Sequence, residues 1–418
     1  MQFLQAVTPS ARTQDASGTA NLLTWSAYVS FLPIGIANVL LGPMLPALSA
    51  RWSLNYSEAG ALFTDQYIAA TVAVALSGLV VSFRGFRFGI KFGLILTAAS
   101  LAFLFTGPKT LGIICIAGLG AGLGIAVPAA NLLVAEANPA RRGARLNWLN
   151  FCWSAGAVAS PFLVAAAVKA HHILLFLALL SACCLLVAAG FALMPPSVVE
   201  PPVATHPRVE VIPVIRSRLM SFLFLAAVFF IYVGTENGFG GWVASYSKTL
   251  GTLSPAISLI TPSFFYASLM LGRVLAPALL RIVNEVTLVR AGLVLACAGT
   301  GGLMLSHGLA GVLVSACTAG VGLSCVYPIS IGMLSTEFGP AATQIASLMF
   351  VLSNIGGALL PWIVGIAGTR FGTLQAGLFV PLLGSAAMFL LYLRKWEPGR
   401  RARSLAADGI SRMGESSE

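Results

Sequence analysis

Charged side chains are rare inside the apolar stretches of this chain, and the few that occur there are able to do chemistry. Asp65, Glu236 and Arg273 each lie well within such a stretch. Burying an ionisable group in hydrocarbon costs free energy. Where such a group is retained, it usually binds a solute, binds an ion or forms a pair with another buried group. These side chains are therefore the first candidates for a functional site.

Each of the three has a functional and a plainer interpretation. Glu236 lies near mid-depth among glycines, including Gly234 and Gly238, which let a ligand approach the backbone. We predict that its carboxyl binds a solute hydroxyl or carries the coupling ion; the alternative is a glutamic acid bonded to a neighbouring helix. Asp65 is predicted either to couple an ion from the outer side or to form an outer hydrogen bond. Arg273 is predicted to snorkel to the interface, and the alternative is an arginine paired with an acid or an anionic solute.

Amide and aromatic side chains accompany these charges. A sugar-like solute presents hydroxyls and apolar ring faces, so its site needs amide and carboxylate partners beside aromatic rings. The plainer interpretation is that buried asparagines join membrane helices and that aromatic rings pack or mark interfaces. Asn147 and Asn150 are three residues apart and share a helix face. The predicted substrate-binding residues are Asn38, Asn131, Asn147, Asn150, Trp153, Glu236, Asn237, Trp242, Tyr246, Tyr266, Tyr327 and Asn354.

The composition indicates the solvent in which these residues must be positioned. The 418 residues are 58% hydrophobic and 9% charged, with a mean hydropathy of +0.91, whereas a soluble domain carries about 25% charged residues. We predict an all-α membrane protein with twelve transmembrane helices, because each apolar run is long enough to cross about 30 Å of hydrocarbon. The runs lie near 22–48, 58–82, 89–107, 110–135, 144–168, 172–194, 219–247, 257–281, 287–306, 309–334, 342–367 and 374–394.

A proline-rich polar stretch divides the runs into two sets of six. We therefore predict six-helix bundles at 21–194 and 218–395, joined by a cytoplasmic linker at 195–217. Residues 1–20 and 396–418 are predicted to be cytoplasmic tails. No apolar core precedes a cleavage site in 1–20, so we expect no cleaved signal peptide.

The net charge of +11 has a topological explanation rather than a nucleic-acid one. With the N-terminus in the cytoplasm, the lysines and arginines of the gaps concentrate on the inner side. The outer side holds only Arg51, Lys109, Lys169, Lys248 and Arg370. The positive-inside rule then places both termini in the cytoplasm, and we expect a multi-pass protein of the plasma (inner) membrane.

Signatures of enzymes and metal sites are missing from the sequence. The seven cysteines all lie inside apolar runs without the spacing of a zinc site. The phosphate-binding, HExxH and GxSxG patterns are absent. We therefore expect no enzymatic activity, no metal and no cofactor other than a coupling H⁺ or Na⁺.

Glycines and prolines repeat at an offset of 200 residues, in runs of the same rank in each set. Two parallel six-helix repeats that enclose a site near the membrane midplane are a known plan for transporters. The repeated residues are Gly120, Gly122, Pro128, Gly156 and Pro161, which recur as Gly320, Gly322, Pro328, Gly356 and Pro361.

The loop after the second run carries a resemblance to a known family. It reads FRFGIK and is similar to the acidic-R-x-G-x-basic signature of the major facilitator superfamily, with Phe86 in place of the acid that helps latch that face. The resemblance implies the major facilitator fold and a cytoplasmic gate; the plainer interpretation is charge that sets the topology. The predicted gate residues are Arg87, Gly89, Lys91, Glu136, Arg141 and Arg142.

The seventh run adds a narrower resemblance. Its sequence YVGTENGFGGWVASY resembles the fucose permease branch, which contains proton- or sodium-coupled sugar transporters. The resemblance implies a monomeric, ion-coupled importer of a sugar or similar small polar solute that works by alternating access, with Glu236 and Asp65 as ion-coupling residues. It also places the amide and aromatic candidates on cavity-lining helices. The alternatives are a proton-coupled exporter of hydrophobic compounds and, ranked last, a transport-inactive membrane sensor.

Overall fold

The computed structural model describes residues 11–194, 200 and 210–393, and within these ranges every regular element is helical. Residues 1–10 of the predicted N-terminal tail, the whole predicted C-terminal tail 396–418, and most of the predicted linker, 195–199 and 201–209, lie outside the described residues. The helices are α1 (Ala11–Val39), α2 (Leu41–Trp52), α3 (Tyr56–Phe103), α4 (Lys109–Ala137), α5 (Arg142–Lys169), α6 (Ile173–Ala192), α7 (Val211–Ser217), α8 (Leu219–Thr249), α9 (Pro255–Leu279), α10 (Glu285–Met304), α11 (Leu309–Ser324), α12 (Val326–Phe338), α13 (Ala342–Phe371), α14 (Leu374–Gly377) and α15 (Phe379–Leu393).

Eleven of the described helical segments are long and apolar enough to cross a membrane. One of them, α3, has 48 residues and contains a break at Gly85, where φ is 81° and ψ is 170°. An unbroken helix of that length would extend about 72 Å, more than twice the thickness of the hydrocarbon layer. The break therefore divides α3 into two spans, and the all-α fold with twelve transmembrane segments is confirmed.

Two boundaries differ from those expected from hydropathy. The first helix begins at Ala11, inside the predicted tail, although its apolar part begins only at Gly18. A short helix, α7, occupies the end of the predicted linker. Hydropathy detects the hydrocarbon-spanning part of a helix and is insensitive to polar turns that continue it.

The chain forms two compact units. Unit 1 contains Met1–Met44 and Asp65–His206, and unit 2 contains Leu45–Thr64 and Pro207–Glu418. Leu45–Thr64, which the hydropathy pattern assigns to the first bundle, thus clusters with unit 2. In that unit the Ser57 amide donates to Thr369 Oγ1 at 2.8 Å, and the Thr64 hydroxyl donates to the Ala358 carbonyl at 2.9 Å.

Unit 1 is built on close helix crossings at glycines. α1 packs chiefly on α5, where a Cβ on Gly35 would overlap the carbonyl of Trp153 and a Cβ on Gly156 would overlap that of Leu32. The hydroxyl of Ser160, beside Pro161, donates to the Ile36 carbonyl across the same crossing at 2.9 Å. Small residues let the backbones approach, which is how membrane helices associate without a hydrophobic driving force.

Unit 2 repeats this construction. α8 packs chiefly on α13, with Gly234 against the backbone of Gly356 and Gly356 against the carbonyl of Phe230. A second pair of crossings also corresponds: Gly120 lies on the Gln66 carbonyl in unit 1, and Gly320 lies on the Phe265 carbonyl in unit 2. The glycine repeat seen in the sequence is therefore a repeat of helix contacts.

Large apolar side chains are exposed along the spans, as at Ile114 (62%), Leu186 (73%) and Leu390 (63%). A water-facing surface would not display so many, whereas lipid contact requires them. Together with the spans, they identify the chain as an integral multi-pass membrane protein.

Candidate functional site

Three polar side chains from α8 and α9 meet inside unit 2. Arg273 Nη2 donates to the hydroxyl oxygen of Tyr232 at 3.2 Å and lies 3.9 Å from Glu236 Oε1. Glu236 and Tyr232 are four residues apart and therefore share a face of α8. The prediction that Arg273 snorkels to the interface is wrong, because its guanidinium turns to this acid and this tyrosine instead.

An aromatic wall lies beside the cluster. The ring of Tyr327, from α12, lies 5.4 Å from the ring of Tyr232 and 5.3 Å from that of Phe229, centroid to centroid. Tyr232 and Phe229 are almost fully buried, whereas Tyr327 is half-buried. The arrangement combines a carboxylate, a guanidinium and phenol rings, which is the mixture that polyhydroxylated ligands require.

The guanidinium of Arg273 is incompletely satisfied. Its Nε is buried and has no hydrogen-bond partner among the described residues. The 3.9 Å approach to Glu236 is an ion-pair distance and too long for a direct hydrogen bond. Burying a hydrogen-bond donor without a partner costs free energy. Arg273 Nε is therefore suited to donate a hydrogen bond to an oxygen atom of a ligand.

Other candidates on α8 have their polar atoms engaged by the backbone. Trp242 Nε1 donates to the Pro361 carbonyl at 2.9 Å, the Tyr246 hydroxyl to the Met304 carbonyl at 3.3 Å, and Asn237 Nδ2 to the Val233 carbonyl at 2.8 Å. The rings of Trp242 and Tyr246 are buried. Tyr266 on α9 is also buried, with its hydroxyl against Gly240. The contacts of Trp242, Tyr246 and Tyr266 are those of packing between helices, whereas the Asn237 hydrogen bond lies within α8.

The asparagine candidates of unit 1 are more open. Asn147 and Asn150 lie on the exposed face of α5 that their spacing predicts, and Trp153 follows half-buried. Asn150 and Asn131 each donate to the carbonyl four residues earlier, at 2.9 Å. Asn38 is half-buried, and its carbonyl accepts from Gln66 Nε2 at 3.4 Å.

Two half-buried candidates have no partner in the part of the chain that the structure describes. Asp65 of unit 1 has no ion pair or hydrogen bond to its carboxyl there, and Asn354 of unit 2 has none to its amide. The carboxyl of Asp65 therefore has no counter-charge among the described residues, whereas the carboxyl of Glu236 has Arg273 beside it.

The predicted gate residues separate into contacts of different kinds. Arg87 Nη2 donates to the carbonyls of Phe191 and Met194 at 3.1 and 2.9 Å, and its Nε lies 3.8 Å from Glu200 Oε1. Gly89 packs against Ala129, and Lys91 is half-buried. Glu136 forms no ion pair within the described residues, where Arg141 and Arg142 are exposed.

Polar contacts in the two units correspond at the same ends of their helices. In unit 1, Asn138 Nδ2 donates to Thr24 Oγ1 at 2.7 Å. In unit 2, the Ser221 hydroxyl donates to Glu337 Oε1 at 2.8 Å, and Arg218 pairs with Glu337 at 3.6 Å. Sequence reasoning assigned no role to Tyr232, Glu200 or Arg218. Two signals were available in the sequence: Tyr232 begins the stretch YVGTENGFGGWVASY, and Glu337 lies near the position that the 200-residue offset gives for Glu136.

The comparisons with known proteins agree with this architecture. A family model described as Major Facilitator Superfamily matches residues 27–361. The chain belongs to the major facilitator superfamily. It is a transporter rather than an enzyme, and its partner is a small-molecule solute. No curated protein sequence matches the chain, and within the described residues no group of side chains suited to a metal ion occurs.

Solved structures of the major facilitator superfamily share the fold at low identity. A D-xylose-proton symporter has a TM-score of 0.73 at 15% identity, covering 91% of this chain and 98% of its own. The nucleoside transporter NupG has 0.72 at 15%, covering 90% and 100%. The E. coli fucose:proton symporter FucP has 0.64 at 18%, covering 91% and 100%. The resemblance to the superfamily, with the fucose permease among its structural neighbours, is confirmed.

Proposed function

We propose that the chain transports a sugar or a similar small polyhydroxylated solute by alternating access, coupled to protons or to sodium. The observation that carries the proposal is the Glu236–Arg273–Tyr232 cluster beside the Tyr327 ring. Its guanidinium retains donors, its carboxylate supplies acceptors, and its phenol rings offer faces on which a sugar ring stacks.

The same cluster argues against an exporter of hydrophobic compounds. A site for hydrophobic compounds would be largely apolar. A hydrophobic solute has no polar group that could pair with the desolvated charges of Glu236 and Arg273. The affinity would then be reduced by the unpaired polar atoms. The structural neighbours are transporters of fucose, D-xylose and nucleosides, solutes that are all rich in hydroxyls, and this analogy supports the proposal.

Asp65 is the better candidate for ion coupling, and Glu236 for solute binding. A charge held away from water needs a counter-charge. Glu236 has one in Arg273 at 3.9 Å, whereas Asp65 has none among the described residues. A transported cation would supply it. The asymmetry of lysine and arginine between the two sides supports a topology with both termini in the cytoplasm.

The test is uptake by proteoliposomes that contain the purified full-length protein, with an imposed proton or sodium gradient. Labelled L-fucose, D-xylose and uridine form the panel. We expect gradient-dependent accumulation of at least one, abolished by Glu236→Gln or Arg273→Ala and retained by Arg281→Ala, an exposed arginine just beyond the end of α9. Accumulation of none of the panel, together with export of a hydrophobic dye, would overturn the proposal.

Coupling is tested separately on the same vesicles. Asp65→Asn should abolish accumulation against a gradient while permitting exchange of internal for external solute, because the coupling ion loses its site but the solute keeps its own. Unchanged gradient-driven accumulation by Asp65→Asn would remove Asp65 from the coupling step.

A further inference from the structure

The signature loop of unit 1 lacks its acid, and an acid at that position would be buried in the apolar core. Phe86, which stands where the acid is expected, is 1% exposed and packs in the core. Gly85 precedes it with φ of 81° and ψ of 170°, so a new helical segment begins at Phe86. The first amides of a helix have no partner within it, and Gly85 has no side chain with which to cap them.

Glu200, 114 residues further along the chain, occupies this place. Its Oε2 accepts from the Phe86 amide at 2.6 Å, and its carboxylate accepts from the Arg87 amide at 3.2 Å. Its Oε1 also lies 3.8 Å from Arg87 Nε. One carboxylate thus caps the helical segment and supplies the counter-charge of the signature arginine, and negative charge is favourable at a helix N-terminus.

Gly85 is part of the same arrangement. A Cβ there would lie 2.8 Å from Glu200 Oε2, so any larger residue would push the carboxylate away, besides being strained at positive φ. Meanwhile Arg87 uses its Nη2 on the last carbonyls around α6, those of Phe191 and Met194. Arg87 and Glu200 therefore hold the start of this segment and the end of α6 in one connected network.

In unit 2, the helix that carries the corresponding arginine is capped by a residue directly before it in the sequence. Arg290 donates to the carbonyl of Tyr392, near the end of α15, through Nε at 2.9 Å and Nη2 at 2.6 Å. The helix that contains Arg290, α10, is capped by its own Asn284, whose Oδ1 accepts from the Thr287 amide at 2.8 Å. The arginine contact is common to both units, whereas the cap is local in unit 2 and distant in unit 1.

We infer that Glu200 is the positioning residue that replaces the missing signature acid. It acts through Arg87, and within the described residues its carboxylate contacts Phe86 and Arg87. Glu200 itself lies beyond the end of α6, and these contacts hold its carboxylate at the start of the segment that begins at Phe86. The expected effect on transport rests on the proposed function, whereas the expected effect on the backbone does not.

The test uses the full-length protein with Glu200→Ala, Glu200→Gln and the matched control Glu210→Ala, which removes an exposed glutamate with no contact among the described residues. Hydrogen exchange of peptides that cover 85–91 is measured in detergent. We expect exchange to rise about tenfold in Glu200→Ala, because the capped amides open locally. Glu200→Gln, which keeps an acceptor but loses the charge, should give an intermediate rise, and Glu210→Ala should give none.

The uptake measurement uses the labelled sugar that the wild-type protein transports, D-xylose or L-fucose. Glu200→Ala should lower the maximal rate about fivefold and leave the half-saturation concentration unchanged, as expected of a group that does not bind the solute. Unchanged exchange at 85–91 in Glu200→Ala overturns the inference. So does a change in half-saturation without a change in rate. Absence of sugar uptake by the wild-type protein affects only the proposed function, because the exchange result decides the capping role by itself.

Discussion

Gly356 of α13 lies directly against the carbonyl oxygen of Phe230 in α8, closer than any side chain permits. Gly156 has the same relationship to Leu32 where α5 crosses α1. In each unit a close helix crossing therefore depends on the lack of a Cβ at its glycines. The glycine repeat in the sequence preserves these crossings, and that dependence can be measured.

Gly356→Ala should destabilise the protein by roughly 1–3 kcal/mol, the range for overpacking a closely packed contact. Gly301→Ala is the matched control, since a Cβ there meets nothing within 4 Å and alanine favours a helix over glycine by up to about 1 kcal/mol. Thermal unfolding of the purified protein in one detergent measures both. Equal shifts of the two transition temperatures would contradict the role of the crossing.

The Glu236–Arg273 pair should show energetic coupling. Removing one partner leaves the other charge desolvated and unpaired. Because the side chains keep 13% and 26% exposure, the expected cost is about 1–3 kcal/mol, below the 3–5 of a fully buried pair. Glu236→Gln, Arg273→Met and the double variant form a cycle, and the double variant should be more stable than the sum of the single effects predicts. Additive effects would show that the two side chains do not interact.

Trp242 and Tyr327 should respond differently to substitution. Trp242→Phe removes the donor to the Pro361 carbonyl and should cost about 1–3 kcal/mol, with half-saturation for the transported sugar unchanged. Tyr327→Leu removes a ring face of the candidate site and should raise half-saturation roughly 3–10-fold, as the loss of a stacking contact implies. Uptake kinetics and thermal unfolding of both variants provide the measurement. The reverse pattern would move the solute site towards Trp242.

Arg290 should fix the end of the last helix. Two donors of its guanidinium meet the single carbonyl oxygen of Tyr392, and lysine cannot reproduce that fork. Arg290→Lys should therefore increase hydrogen exchange in peptides covering 386–393 and cost about 1 kcal/mol. Arg281→Lys, at an exposed position, is the control and should leave the exchange of that peptide unchanged.

Much of the fold follows from the sequence because the bilayer imposes simple rules. Helix length, apolar content and the spacing of Gly120, Gly156, Gly320 and Gly356 are local properties, and each corresponds to an observed span or crossing. Hydropathy could not locate the first residue of α1, since the turns before Gly18 are helical but lie outside the apolar span.

The site was less accessible to prediction, because depth in a helix does not give direction. Hydropathy placed Arg273 correctly within a span, but only the rotation of α9 against α8 shows that it faces Glu236. The same applies to Trp242, whose buried ring and backbone hydrogen bond are set by α13. Glu200 was out of reach for another reason: no periodicity connects a residue to a partner 114 positions away.

The second segment of α3 is capped by a residue that lies outside the six helices of the first half, whereas the second half contains its own cap. A polypeptide severed after residue 194 would leave the first half without Glu200, and its segment beginning at Phe86 would have exposed, uncapped amides. The second half would carry Asn284 with it and keep its cap. Complementation by separately expressed fragments should accordingly depend on which fragment retains Glu200, because the first repeat relies on a residue that lies outside its own six helices.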